Sequence, residues 1–132
     1  MKTKLGLIII LLAFIVVACK KDVPPTLIVK VVEEDGTAAG GADVHVYPKD
    51  AQLGVVNEKD FDKKGTTASD GTVTFEFPYS AVLDIDVTYI KETWIDTALA
   101  YTYDTLNGHR VTKIETKRQR GDNEFNETVE VK

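Results

Sequence analysis

The sequence predicts an all-β chain, an antiparallel Greek-key β-sandwich of about seven or eight strands behind an N-terminal apolar leader. Three observations lead there. Apolar and polar residues alternate with a period of two over short runs, as one-face-buried strands do. Turn signals built from Gly, Asp, Asn and Pro separate those runs at regular intervals. Beyond the leader, no stretch carries convincing helical spacing.

Taken in order, the first strand is Thr26–Val32, β-branched and apolar, closed by Glu33-Glu34-Asp35-Gly36 as a turn. Ala42, Val44 and Val46 then alternate with Asp43, His45 and Tyr47 until Pro48, which cannot donate to a ladder, stops the strand. Residues 49–64 are the least regular part, with a short apolar piece at Leu53–Val56 and a charged run. A third strand over Gly65–Ala68 leads into Ser69-Asp70-Gly71, read as a hairpin turn, and Val73, Phe75 and Phe77 alternate beyond it. Leu83, Ile85, Val87 and Tyr89 alternate with Asp84, Asp86 and Thr88, the cleanest such pattern in the chain. Trp94–Tyr103 is a further strand candidate, Asn107-Gly108 a two-residue hairpin signal, and Val111–Lys117 and Phe125–Val131 close the count. The expected core is Val29, Val31, Val44, Val46, Val73, Phe75, Ile85 and Val87.

The leader fixes the expected compartment. Lys2 and Lys4 precede an uncharged run, Leu5–Ala18, that is shorter than the roughly 20 residues a bilayer span needs. It suits the apolar region of a secretory signal. Val16-Val17-Ala18-Cys19 resembles the lipobox of bacterial lipoproteins. That resemblance implies cleavage between Ala18 and Cys19 and acylation of the Cys19 thiol. Two or three acyl chains then anchor the protein stably. Lys20, rather than aspartate, follows the cysteine, so outer-membrane delivery is expected. Lys20-Lys21-Asp22 partly resembles surface-export signals, which leans toward cell-surface exposure. Residues 1–18 are thus the signal peptide, 19–26 the lipidated cysteine and a tether stiffened by Pro24-Pro25, and 27–132 the sandwich.

Composition narrows the functions. Cleavage would remove Lys2 and Lys4 and leave 14 basic against 21 acidic residues, a poor match to nucleic acid, whose phosphates dominate such affinity. Cys19 is the only cysteine, so no disulfide supports the fold and no free thiol nucleophile remains after acylation.

Leu27-x-Val29-x-Val31, Asp35-Gly36, Gly41-Ala42-x-Val44-x-Val46 and Ser69-Asp70-Gly71-x-Val73-x-Phe75 together resemble the carboxypeptidase regulatory-like, transthyretin-like sandwich. The resemblance covers about residues 27–87. It departs at the long 49–64 connection and at Phe77-Pro78-Tyr79, where that family's glycine is missing. It implies an accessory module for folding, anchoring or partner contact, without a catalytic set.

Candidate sites follow from the residues. His45 and His109 lack neighbouring ligands at zinc spacing, so no metal or cofactor is expected. Asp60-x-Asp62-x-Lys64 puts a cation where a calcium loop needs oxygen. Asp84 and Asp86 read as solvent-facing neighbours on one strand, and Arg120-Gly121-Asp122 as an ordinary turn. Lys30 alternates away from the core, which disfavours an isopeptide bond to Asn126. Two clusters suit contact with a partner. Trp94, Tyr101 and Tyr103 offer rings for stacking on sugar or peptide. Arg110, Lys113, Lys117, Arg118 and Arg120 gather positive charge, either as a partner patch or as an edge that blocks sheet aggregation. The expectation is a lipid-anchored, non-enzymatic envelope module binding an outer-membrane protein or a glycan; the alternative is a structural spacer without a ligand.

Overall fold

A computed structural model describes residues 21–49, 57–119 and 121–132. The lipobox-like stretch ending at Ala18 and Cys19, the apolar piece at 53–56, and Arg120 lie outside the described residues. Nine strands and one helical turn are present among them. They are β1 (Lys21–Val23), β2 (Thr26–Glu33), β3 (Asp43–Pro48), α1 (Glu58–Phe61), β4 (Lys63–Thr66), β5 (Thr72–Glu76), β6 (Ala81–Ile95), β7 (Ala100–Ile114), β8 (Lys117–Gln119) and β9 (Glu124–Val131).

The strands form two principal sheets, ordered β5-β2-β9 and β4-β3-β6-β7, with a small β1-β8 ribbon at one end. Pairing is antiparallel throughout except between β2 and β9, which run parallel from Thr26↔Glu124 to Glu33↔Val131. The two sheets enclose Leu27, Val29, Val31, Val44, Val46, Phe75, Leu83, Ile85, Val87, Ile114, Val129 and Val131, all buried. Period-two alternation causes this directly, since every second side chain of each strand meets the opposing sheet. Seven of the eight expected core residues are there. Val73 is only half-buried, because β5 is the outer strand of its sheet, and it packs against the core from that edge.

Several local expectations are corrected. Trp94–Tyr103 is not one strand: the chain turns at residues 96–99, and Trp94 pairs with Tyr101 across the hairpin. Asn107-Gly108 is not a turn but lies inside β7, opposite Thr88 and Val87. A Cβ on Gly108 would stand 2.7 Å from the Glu130 carbonyl oxygen and 2.8 Å from Val129 Cγ1, so β7 crosses β9 closer than any side chain permits. Ser69-Asp70-Gly71 does turn tightly, with Gly71 at φ 78° and its absent Cβ only 2.5 Å from the Val31 carbonyl oxygen. Yet β4 and β5 leave that turn for opposite sheets, so it is a crossover rather than a hairpin. Residues 111–117 divide between the end of β7 and the start of β8. The stretch read as a tether contributes β1, which the buried Asn123 holds by donating from Nδ2 to the carbonyls of Val23 (3.0 Å) and Glu115 (2.7 Å).

Polar links also join the sheets. Glu127 of β9, in the inward row beside Val29, accepts from Arg110 Nε at 2.5 Å and Thr112 Oγ1 at 2.6 Å on β7. Phe61, fully buried on α1, stacks on Phe77 at 5.4 Å and meets the edge of Tyr79 at 5.0 Å, sealing the end of the sandwich beneath β3. Lys30 and Asn126 both face outward and lie in different rows, Ile28 being the partner of Asn126 and Thr128 of Lys30.

Candidate functional site

The site is built on the longest elements, β6 and β7, of 15 residues each. At about 3.3 Å per residue such a ribbon is roughly 50 Å long. Its first half is held in the sheet, since β3 pairs with β6 as far as Asp43↔Thr88. On the other side, Asn107 and Lys132 exchange backbone hydrogen bonds of 3.1 Å. Beyond these points, Tyr89–Ile95 and Ala100–Leu106 form ladder pairs only with each other. Lys91 on the inner face, bonded to the nearly buried Glu33 at the end of β2, staples this distal ribbon to the sandwich. The Glu33 carboxylate raises the Lys91 pKa, chiefly through that hydrogen bond. A cleft of about 970 Å³ lies alongside, lined by Glu33, Glu34, Asp35, Lys91, Asp104 and Lys132 among others.

Register assigns the faces. Ile90, Glu92 and Trp94 on β6 alternate onto the outer face together with their partners Thr105, Tyr103 and Tyr101. Trp94, Tyr101 and Tyr103 are 46%, 54% and 65% exposed, so none of the three contributes its ring to the core. The Trp94 and Tyr101 rings sit 4.8 Å apart between centroids, tilted by 59°. Carboxylates brace them: Trp94 Nε1 donates to Asp96 Oδ1 at 2.8 Å, and Tyr103 Oη donates to Glu92 Oε1 at 3.4 Å. At the turn, Leu99 is 77% exposed with φ 47°, a left-handed conformation that costs a β-carbon about 1–2 kcal/mol. The sequence-predicted aromatic trio is therefore one cross-strand platform, with Ile90 extending it toward the sheet.

The same outer face continues down the ribbon to a polar row that sequence spacing could not reveal. His45, Asp86 and His109 occupy one register row on three adjacent strands. Tyr47 Oη donates to Asp86 Oδ2 at 2.6 Å, and His109 Nδ1 lies 2.7 Å from Asp86 Oδ1, with its Nε2 3.5 Å from Asp84. His45 Nε2 meets Asp62 at 2.7 Å. Partial burial pushes the Asp86 carboxyl up, but the hydrogen bonds from Tyr47 and His109 and the nearby histidine charge outweigh it and hold the group below its ordinary value. No set of three or more potential ligands among the described residues is arranged to hold a metal ion.

Among the described residues of the basic cluster, Arg110, Lys113, Lys117 and Arg118 are engaged separately. Arg110 turns inward to Glu127, Lys113 pairs with Glu115 at 2.6 Å, and Arg118 lies 3.9 Å from Asp22. Lys117 sits over the Phe125 ring at 4.8 Å. Lys117 and Arg118 are on β8, beside β1, at the end of the molecule opposite the aromatic platform. Ile114, where β7 ends before Lys117, lies 11 residues past Tyr103, roughly 36 Å at about 3.3 Å per residue, so Lys117 and Arg118 are a separate feature from the platform.

No known family matches the chain, and no curated protein does. Among solved structures, a Pseudomonas aeruginosa protein provisionally named as carbohydrate-binding shares the fold. It is 9% identical, with a TM-score of 0.50 over 86% of this chain and 92% of that one. A 9R-lipoxygenase from Cyanothece aligns at 15% identity and a TM-score of 0.42, over 80% of this chain and 16% of the lipoxygenase's own length.

Proposed function

We propose that the protein is a lipid-anchored, non-enzymatic binding module of the bacterial outer membrane, leaning toward the cell surface, that holds a glycan on the outer face of the β6–β7 hairpin. The observation that carries this is the exposure of Trp94, Tyr101 and Tyr103 on one face of a ribbon whose distal half pairs only with itself. Rings that neither fill a core nor cover a neighbouring strand are available for stacking on the apolar face of a sugar. The provisional name of the Pseudomonas neighbour supports a carbohydrate over a protein partner. The lipobox supports the anchor, and the transthyretin-like motif pattern supports an accessory rather than catalytic role. With the acyl group on Cys19, two residues before β1, the tether end and the platform lie at opposite ends of the domain, so the platform faces away from the membrane.

Two measurements test the parts separately. Labelled palmitate enters the wild type and not Cys19→Ala; incorporation into the variant, or its unchanged fractionation with outer membrane, removes the anchor. Retention on immobilised polysaccharides falls about 5–30-fold for Trp94→Ala, the cost of one central aromatic contact at about 1–2 kcal/mol, and is unchanged by neutralising Lys117 and Arg118. Absence of retention by the wild type across neutral, acidic and amino polysaccharides would leave the spacer reading in place.

A further inference from the structure

The charge around the aromatic platform selects among glycans, and this step rests on the glycan reading above. Two carboxylates, Glu92 and Asp96, sit within hydrogen-bonding reach of the rings themselves. Farther along the same outer face come Asp43, Asp84 and Asp86. Of the basic side chains on that face, Lys113 is held by Glu115, His109 by Asp84 and Asp86, and His45 by Asp62, while Lys64 stands in the row of His45 and Asp86, eight residues along β6 from Trp94 and roughly 26 Å away at about 3.3 Å per residue. Lys91 lies on the opposite face of the ribbon, bonded to Glu33. A sugar stacked across Trp94, Tyr101 and Tyr103 thus meets acceptors for its hydroxyls and a field that repels negative charge.

We infer that Glu92 and Asp96 are specificity-determining residues which restrict the platform to uncharged glycans and reject uronate-bearing ones. Each carboxylate does two jobs that chemistry can separate. As a hydrogen-bond acceptor it fixes a ring: Asp96 the indole of Trp94, Glu92 the phenol of Tyr103. As a charge it repels an anionic ligand, and rejection of the wrong ligand is as effective a source of selectivity as attraction of the right one. Gln and Asn keep a carbonyl oxygen for the ring's N–H or O–H while removing the charge.

The test uses the purified full chain in detergent against an array of neutral hexasaccharides (gluco-, manno- and xylo-configured) and hexuronates of matched length. The wild type retains neutral hexasaccharides and not hexuronates. Glu92→Gln with Asp96→Asn raises hexuronate binding about tenfold relative to neutral hexasaccharides at low salt. That is the effect of removing two charges about 6 Å from a ligand carboxylate in a water-like medium. The gain shrinks as salt screens the site. Unchanged tryptophan fluorescence in the double variant shows that the rings have kept their places. Wild-type binding of hexuronates as tight as that of neutral sugars overturns the selectivity and leaves the glycan platform standing. Binding of neither class, by wild type or variant, overturns the glycan platform itself.

Discussion

Gly108→Ala tests the closest approach in the fold. The added methyl would stand 2.7 Å from the Glu130 carbonyl oxygen, 2.8 Å from Val129 Cγ1 and 3.1 Å from Val131 Cγ1. Carbon contacts prefer about 3.5–4.0 Å, so β7 and β9 would have to part by the better part of an ångström. Backbone cannot yield cheaply there, because Asn107 and Lys132 are locked by two mutual hydrogen bonds one residue away. Overpacking of this kind costs about 1–3 kcal/mol, and alanine returns about 0.5–1 kcal/mol of chain entropy relative to glycine. The net expectation is a loss of about 1–2 kcal/mol, read as a lower urea midpoint with unchanged slope. Gly36→Ala is the control: its φ is 85° and nothing lies within 4 Å of its Cβ, so only the left-handed backbone is penalised. Reverting the chain entropy does not depend on β9, but the Gly108 penalty does. In a double-mutant cycle, Val129→Ala, which costs stability of its own but removes one of the clashing methyls, should therefore reduce the cost of Gly108→Ala and leave the cost of Gly36→Ala unchanged. A Gly108→Ala protein as stable as the wild type would refute the close crossing.

Two further outcomes follow from the interior and from the polar row. Phe61→Ala removes a fully buried ring that stacks on Phe77 and should cost about 3–5 kcal/mol by denaturant unfolding; a loss below about 1 kcal/mol would mean that α1 does not seal the core. Because the Asp86 pKa is depressed in the folded state, its stabilising effect is fully present above the ordinary value of 3.8 and disappears as pH falls through the lower, folded value. Asp86→Asn should therefore show a smaller drop in urea midpoint than the wild type between about pH 6 and about pH 2.5, and an equal drop would discount the Tyr47–Asp86–His109 network.

Strand faces were legible in the sequence because burial has a period of two: Val44, Val46, Ile85 and Val87 announce their side of the sheet without knowledge of its partners. Pairing and sheet membership were not, since neither is a local property. Asn107-Gly108 has the composition of a turn, but its glycine answers to β9, more than 20 residues away. The true turn, Asp96-Thr97-Ala98-Leu99, places leucine in a left-handed conformation and so lacks the usual glycine or asparagine signal. The aromatic trio could be named from residue type, and its exposure became evident only once Trp94 and Tyr101 were seen to face each other across a hairpin. The described basic residues part for the opposite reason: neighbours in sequence diverge when Arg110 faces inward and Lys117 begins another strand. Likewise, His45, Asp86 and His109 meet only through the register of three strands.

The direction of β2 has a mechanical consequence. β2 begins at Thr26, beside the β1–β8 ribbon, and ends at Glu33, beside the Lys91 staple at the base of the projecting hairpin. A load applied between Lys21 and the hairpin tip therefore runs along the strands, in line with β2 and across the ladder bonds that join it to β5 and β9. Those bonds are strained in shear, many at once, rather than opened singly from one end like a zipper. Traction applied at the tip would meet a stiff element aligned with the pull.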